Sequence, residues 1–369
     1  MLKHPNLFFK KQNMKKKSLN VKKIIPKSFK FNEILKDKKI FETYKEFAKN
    51  FERLNNTNSI AVSVSGGPDS LALCFLVSCY NFKKKIKSKP RFYLVDHGLR
   101  KESKKEAKTV KNHLRLKKIK LKVLKWKGKK PNSNLQNLAR KKRYELLFNE
   151  CNKSNIQLLL TAHHQDDFYE TFFSRLLRGS GTDGLSSFTE IEKKFIFQKK
   201  IITIVRPLLS LNKSSLTYVS QKVFNFYIID PSNKMEKYQR VRLRKLIINL
   251  KNQGLDFKKL KLTVNNLAST NKAMKEFVDF NINENVIINK KRYLIGSKFF
   301  SSPEEVVFRS FSNLIKKISQ NDYPPRGKKL MNLIRELKKR NYFKATLGGT
   351  IIEKIHNSVV LTPEKTKKR

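Results

Sequence analysis

An α/β fold built on an open parallel sheet, followed by a mainly helical second domain and a small C-terminal region, is what the sequence predicts. Three observations carry that expectation. From about residue 58, β-branched runs alternate with amphipathic stretches, the order that lays helices over both faces of a parallel sheet. The alternation stops near "IIDPSN" (228–233), and helix-length stretches take over. With 369 residues, 39% hydrophobic and 11% aromatic, the chain is long enough for two domains with separate cores.

Taken in order, strands are expected at "SIAVSVS" (59–65), "RFYLVDHGL" (91–99), "IKLKVLKW" (119–126), "IQLLLTAHH" (156–164) and "IITIVRPLL" (201–209), with helices between most of them. Beyond a boundary near 233, "YQRVRLRKLIINLKNQ" (238–253) and "SSPEEVVFRSFSNLIKKIS" (301–319) read as helices, and "ATLGGTIIEKIHNSVVLTP" (345–363) reads as a hairpin with glycines at its turn. The expected division is a basic N-terminal extension over 1–57, the α/β domain over 58–232 and the helical domain with the C-terminal region over 233–369. The first stretch has no acid before Glu33, no apolar signal core, and lysine where transit peptides favour arginine, so a flexible basic arm is expected there.

Charge narrows the partners. Against 29 Asp+Glu stand 83 Lys+Arg, a formal +54, which points to nucleic acid first and an anionic membrane surface second. A coding bias toward Lys, Asn, Ile and Phe is an alternative source of lysine, but it would raise Glu too, and Glu has not kept pace. Three cysteines, Cys74, Cys79 and Cys151, form no CxxC pair. That argues against a disulfide framework or a cysteine-rich metal site and fits a reducing cytoplasm. No apolar run approaches the ~20 residues needed to cross a bilayer.

In an open parallel sheet, ligands bind beyond the carboxyl ends of the strands. The first strand runs into Ser65–Ser70, the second into Asp96 and His97, and the fourth into His163, His164, Asp166 and Asp167, so all three sets are expected on one rim. In "SGGPDS", Gly66 and Gly67 offer bare backbone to an anion at the start of a helix. Pro68 suits a first helical turn because it has no N–H to lose. Ser65 and Ser70 supply hydroxyls. Asp69 would repel phosphate unless a divalent cation lay between them, which predicts Mg²⁺ with a nucleotide. Helix capping by Asp69 is the alternative. A Walker loop is excluded because no lysine follows the glycines. The G-x-S-x-G elbow is disfavoured because Ser63 stands at its first glycine.

"SGGPDS" resembles the signature loop of the PP-loop ATP pyrophosphatases, which implies a Rossmann-like, adenine nucleotide hydrolase-like sheet. Further motifs narrow the likeness: "VDHGLR" (95–100), "ARKKRYELL" (139–147), "AHHQDDFYETFFSRLLRGSGTDGL" (162–185), "RPLL" (206–209), and "DPSN" followed by "YQRVRLR" (238–244). Together they resemble the tRNA(Ile)-lysidine synthetase family, with a weaker likeness through "YPPRGKKLMNLI" (323–334) and "TLGG" (346–349). The resemblance implies a ligase that uses ATP to activate carbon 2 of the wobble cytidine in a tRNA(Ile) with a CAU anticodon. Free L-lysine then displaces AMP there. It makes 58–232 the ATP-binding catalytic domain and 233–369 the tRNA-binding one, with no membrane role and a homodimer left open.

On that basis Ser65, Gly66, Gly67, Pro68, Asp69, Ser70 and His97 bind the nucleotide; Asp69, Asp96, His163, Asp166 and Asp167 are catalytic; and Asp69 and Asp167 hold the metal. Helical spacing places Asp167, Glu170, Ser174 and Arg178 on one side of a helix within about three turns. Its near end suits a metal or a substrate amine, while Arg178 and "RGSGTDGL" suit phosphate or a tRNA backbone. A hydrogen-bonded helix cap and a His/Asp transition-metal site are the alternatives for "HHQDD". Gln136, Arg140, Arg143 and Leu147 share a stripe that faces RNA or is a solvated basic face. Arg240 and Arg244, one turn apart, clamp RNA phosphate or form an interdomain salt bridge. Two departures stand out: Val241 replaces the family's common asparagine, and a C-terminal extension shorter than that of longer members is expected. Compact architecture with an unusually basic surface predicts steeply salt-dependent tRNA binding.

Overall fold

The computed structural model describes residues 30–53, 59–128, 135–186, 191–229, 239–289, 292–321, 324–325 and 327–364. Most of the basic arm, the "DPSN" run and the expected boundary near 233 lie outside these residues. In chain order the elements are α1 (Phe31–Ile34), α2 (Lys38–Glu52), β1 (Ile60–Val64), α3 (Pro68–Lys83), β2 (Arg91–Asp96), α4 (Ser103–Leu116), β3 (Leu121–Lys125), α5 (Leu135–Lys153), β4 (Leu158–Leu160), α6 (Gln165–Leu176), α7 (Thr182–Ser186), β5 (Glu192–Phe197), β6 (Lys200–Val205) and α8 (Lys213–Phe224). There follow α9 (Gln239–Asn252), α10 (Phe257–Asn285), β7 (Val286–Asn289), β8 (Arg292–Ile295), α11 (Glu304–Ser319), α12 (Gly327–Lys339), β9 (Tyr342–Leu347), β10 (Thr350–Ile355) and β11 (Ser358–Pro363).

The chain divides into two compact units. The first holds the residues up to Ala162 with 195–203 and 214–228; the second holds 163–194, 204–213 and the chain from Ile229 onward.

A six-stranded sheet has the order β3-β2-β1-β4-β6-β5, and its strands β1 to β4 lie wholly in the first unit. β1 pairs in parallel with both β2 and β4, Val62 lying opposite Phe92 on one side and Leu160 on the other, and β2 pairs in parallel with β3. A strand flanked on both sides and covered on both faces must be apolar throughout. In β1 Ile60, Ala61, Val62 and Val64 are all buried. α3 is apolar nearly all round, and residues Ser70 to Val77 and Cys79 are buried, as expected of an interior helix. α2 shows an apolar stripe instead: Ile40, Tyr44, Phe47 and Phe51 are buried. Phe47 and Phe51 meet the Tyr80 ring of α3 edge-on, at 6.2 and 5.1 Å between centroids. Residues 38–52, read from sequence as part of a basic extension, thus form a helix packed into this unit.

In this sheet one strand, β5, was not expected. β5 and β6 form a hairpin joined by Gln198 and Lys199, both at positive φ (49° and 64°), the backbone of a tight two-residue turn. The stretch expected as a strand over 201–209 is its second arm and stops at Val205.

The second unit is mainly helical, as expected, and also holds a five-stranded sheet in the order β7-β8-β11-β10-β9. Each neighbouring pair is antiparallel. The expected glycine hairpin is β9–β10. Phe299, Phe311, Leu314, Ile315, Ile352 and Leu361 belong to the core beneath this sheet. A separate cluster packs Phe168, Tyr169 and Phe172 of α6 against Leu209, Ile247, Leu260 and Val264.

Candidate active site

The turn after β1 is built around one buried hydroxyl. Ser70 Oγ accepts from the N–H groups of Ser65 and Gly66 at 3.1 and 3.2 Å, lies 3.1 Å from Ser65 Oγ, and donates to the Gly67 carbonyl at 2.9 Å. Ser70 therefore ties the turn rather than simply offering a hydroxyl outward. Gly66 adopts φ +86°, a conformation that costs glycine little and other residues more. Gly67 is the N-cap of α3, without a side-chain cap bond, and Pro68 opens the helix. Asp69 lies inside the first turn, so helix capping does not describe its position. The first amides of a helix have no carbonyl one turn back to accept from them, and together with the helix dipole they favour an anion. Bare backbone at Gly66 and Gly67 with these amides fits a polyphosphate. Among the described residues no group of three or more His, Cys, Asp or Glu gathers as a metal cage. Mg²⁺ takes one or two carboxylates with phosphate oxygens and water, and Asp69 is the carboxylate in this turn.

At the end of β2, Asp96 Oδ1 accepts from Gly98 N at 2.9 Å and the Asp96 carbonyl accepts from Trp126 N at 3.0 Å. The His97 ring meets Trp126 edge-on at 6.0 Å. Because β2, β1 and β4 are adjacent and parallel, their carboxyl ends share one edge of the sheet. β1 is the strand from which the order departs in both directions, the switch point where such sheets bind ligands.

Thr161 and Ala162 separate β4 from His163, which is half-buried and opens the second unit. His164 is the N-cap of α6: its Nδ1 accepts from Asp166 N at 3.2 Å, while Asp167 Oδ2 accepts from His164 N at 3.0 Å. This reciprocal pair is a capping box, so one Asp167 oxygen fixes the helix start. Asp166 Oδ1 accepts from Lys251 Nζ of α9 at 2.8 Å, and that ammonium lies 4.7 Å from the centre of the Tyr169 ring. Glu170 is buried and accepts from Arg244 Nε. This salt bridge lies within the second unit, to which both residues belong, and is not an interdomain one. Arg240 lies in α9, with its side chain outside the described residues.

The expected stripe on α6 is shorter than its spacing implied. Asp167, Glu170 and Ser174 lie within the helix, but it ends at Leu176 and Arg178 falls in the exposed turn beyond. Gly179 at φ +68° donates to the Leu176 carbonyl, and Ser180 donates to that of Arg175, the hydrogen bonds of a left-handed glycine stop. On α5, Arg140 and Arg143 lie 5.4 and 5.3 Å from the Tyr144 ring centre, and Leu147 is the buried anchor. The Gln136 side chain lies outside the described residues. Sequence reasoning missed Lys251, one lysine among many, and Tyr169.

A family model described as a PP-loop domain matches residues 36–251, which include α2 and most of α9. The chain is 34% identical over 318 residues to the tRNA(Ile)-lysidine synthase of Wolbachia sp. subsp. Brugia malayi (strain TRS), covering 84% of this chain and 72% of that protein. The enzyme of the same name from Wolbachia pipientis wMel is 35% identical over 314 residues, with the same coverage of 84% and 72%. That of Rickettsia bellii (strain OSU 85-389) is 32% identical over 336 residues, or 88% and 75%. Among solved structures, the U34-tRNA thiolase NcsA from Methanococcus maripaludis, with its 4Fe-4S cluster, aligns with a TM-score of 0.52 and 18% identity over 63% of this chain and 80% of that one, a likeness of fold. With more than half the chain in the PP-loop match and relatives above 30% identity along most of both lengths, the chain belongs to the tRNA(Ile)-lysidine synthase family of PP-loop proteins.

Proposed function

We propose that this protein is an ATP-dependent ligase that joins L-lysine to carbon 2 of the wobble cytidine in tRNA(Ile) with a CAU anticodon, forming lysidine. The cytidine oxygen attacks the α-phosphorus of ATP and pyrophosphate leaves. The ε-amino group of lysine then attacks carbon 2, loses a proton, and AMP departs with the oxygen. The observation that carries the reading is the glycine turn at the carboxyl end of β1, on a chain matching lysidine synthases over most of its length.

Ser65, Gly66, Gly67, Pro68, Ser70 and His97 bind the nucleotide in this reading. Asp69 is a ligand for Mg²⁺, with Asp167 as the second carboxylate assigned to it; the ion supplies neutralisation of the pyrophosphate charge. Asp96, His163 and Asp166 serve proton transfer and orientation of the lysine amine. Arg140, Arg143, Glu170, Arg178, Arg240 and Arg244 are assigned to the tRNA side, with Arg244 and Glu170 acting as a pair. Work on tRNA places the enzyme in the cytoplasm, and among the described residues no helix is long and apolar enough to cross a membrane.

A sulfur-transfer reading finds no support in the thiols. Cys74, Cys79 and Cys151 are all buried, and burial pushes the Cys79 and Cys151 thiols up to about 12. Purified protein with ATP, labelled lysine and CAU-anticodon tRNA(Ile) tests the proposal. The ligase releases pyrophosphate only with the tRNA and incorporates lysine stoichiometrically. A thiolase would ignore lysine, and an inactive RNA binder would release nothing.

A further inference from the structure

The glycine turn is backed by a stretch that no motif marks. Ile228 N donates to the Gly66 carbonyl at 2.9 Å. The Ile228 side chain and Val110 of α4 fill the space beside Gly66: a Cβ there would lie 2.7 Å from Val110 Cγ2 and 3.1 Å from Ile228 Cδ1. Earlier in the same stretch, buried Ser220 donates its hydroxyl to the Pro68 carbonyl. Between them, Phe226 stacks on His113 of α4, with ring centroids 4.0 Å apart and planes 8° from parallel. All these residues belong to the first compact unit.

A trans peptide carries its C=O and the following N–H on opposite sides. Holding the Gly66 carbonyl toward Ile228 therefore turns the Gly67 N–H the other way. That amide meets Ser65 Oγ only at 3.4 Å, a long contact that a charged oxygen would outcompete. Flanked by two glycines, this peptide has little steric preference of its own, so its orientation must come from a neighbour. We infer that Ile228, through its backbone N–H, fixes the Gly66–Gly67 peptide with the Gly67 amide aimed at the pyrophosphate group of the nucleotide. Ile228 is a positioning residue and touches no reacting atom. The inference rests on the ligase reading for the identity of the ligand.

Replacing residue 228 by the α-hydroxy analogue of isoleucine converts its amide to an ester, which puts an oxygen in place of the N–H and keeps the side chain. Calorimetric titration of the full chain with inorganic pyrophosphate and with Mg-ATP is expected to show roughly tenfold weaker binding, the scale of one misdirected charge-assisted hydrogen bond. Affinity for tRNA is expected to stay unchanged. Ile228→Ala keeps the N–H and is expected to bind within about threefold of wild type. Equal losses in both variants would assign the effect to packing and overturn the inference, as would a folded ester variant that binds like wild type. A measurement on the native chain stands beside these: in glycine-labelled protein, the Gly67 amide resonance is expected to shift on adding pyrophosphate, and an unmoved resonance overturns the inference. Absence of any nucleotide or pyrophosphate binding by the wild type would bring down the ligase reading as well, whereas failure of the ester result alone leaves that reading standing.

Discussion

Arg244 of α9 donates through Nε to the carboxylate of Glu170 on α6, and the carboxylate side is only 11% exposed. Burial works against charging Arg244. The hydrogen bond and charge of Glu170 outweigh it, so the guanidinium holds its proton above the ordinary range. Removing the arginine strands a desolvated carboxylate, the costly half of a broken buried pair. Arg244→Met is expected to destabilise the protein by about 2 kcal/mol, discounted from the fully buried case because the arginine is partly exposed. Combining it with Glu170→Gln is expected to restore most of that loss. Urea denaturation of the two variants checks this, and a single-variant loss below about 0.5 kcal/mol would reduce the contact to a surface pair.

Asp69 tests the metal assignment. Asp69→Asn keeps the size and the helix position but removes the charge assigned to Mg²⁺. Pyrophosphate release is expected to fall by roughly 10²-fold, the scale seen when one electrostatic contact to a reacting centre is lost. The thermal midpoint is expected to hold, since Gly67 and Pro68 start the helix. A normal rate at saturating Mg²⁺ would remove Asp69 from the metal site.

The contact between Asp37 and Tyr218 gives a signature at both ends of the pH range. The Tyr218 hydroxyl donates to Asp37 Oδ2 at 2.7 Å. This bond first, and the Ile40 amide second, hold the Asp37 carboxyl below its ordinary 3.8. A depressed acid stabilises the fold above its unfolded value, and that contribution is lost as pH falls through the folded one. The same bond lifts Tyr218 above its ordinary 10.0, so its contribution is present below pH 10.0 and fades as pH rises toward the folded value. Tyr218→Phe is expected to lower stability near neutrality and to flatten both dependences. Denaturation midpoints across pH decide, and parallel curves for the two proteins would dismiss the bond.

Binding of tRNA is expected to weaken steeply with salt, as phosphate contacts release counterions. Arg178, exposed in the turn after α6, is assigned to one such contact. Arg178→Gln is expected to reduce the magnitude of the slope of log affinity against log salt by about one, with folding unaffected. Filter binding at four or more salt concentrations measures the slope; an unchanged value would place Arg178 off the RNA.

Most of the site-bearing sheet was legible because its strands are short, fully apolar and punctuated by polar clusters, as in Val62, Leu159 and Leu160 beside Ser65 and His163. The hairpin β5–β6 was not, because its first strand carries Glu192, Lys193 and Lys194 and its turn uses Gln198 and Lys199 where glycine or asparagine would have signalled. α2 had a readable stripe in Ile40, Tyr44, Phe47 and Phe51, but the surrounding lysines favoured an arm. Within the candidate site, the polar clusters at the strand ends were visible in the sequence, whereas Lys251 was one lysine among many. That Ser70 also ties the turn was not legible, since sequence does not reveal which way a hydroxyl faces. Ile228 carries no signal at all, for its contribution is a main-chain N–H that any residue except proline would supply.

The placement of the glycine turn on the central strand β1 has an evolutionary corollary. Its location is inherited from strand order and from main-chain contacts, which are indifferent to the chemistry of outward-facing side chains. Substitutions among those outward-facing side chains can therefore alter the electrical character of the molecule while the glycine turn keeps its place on the strand.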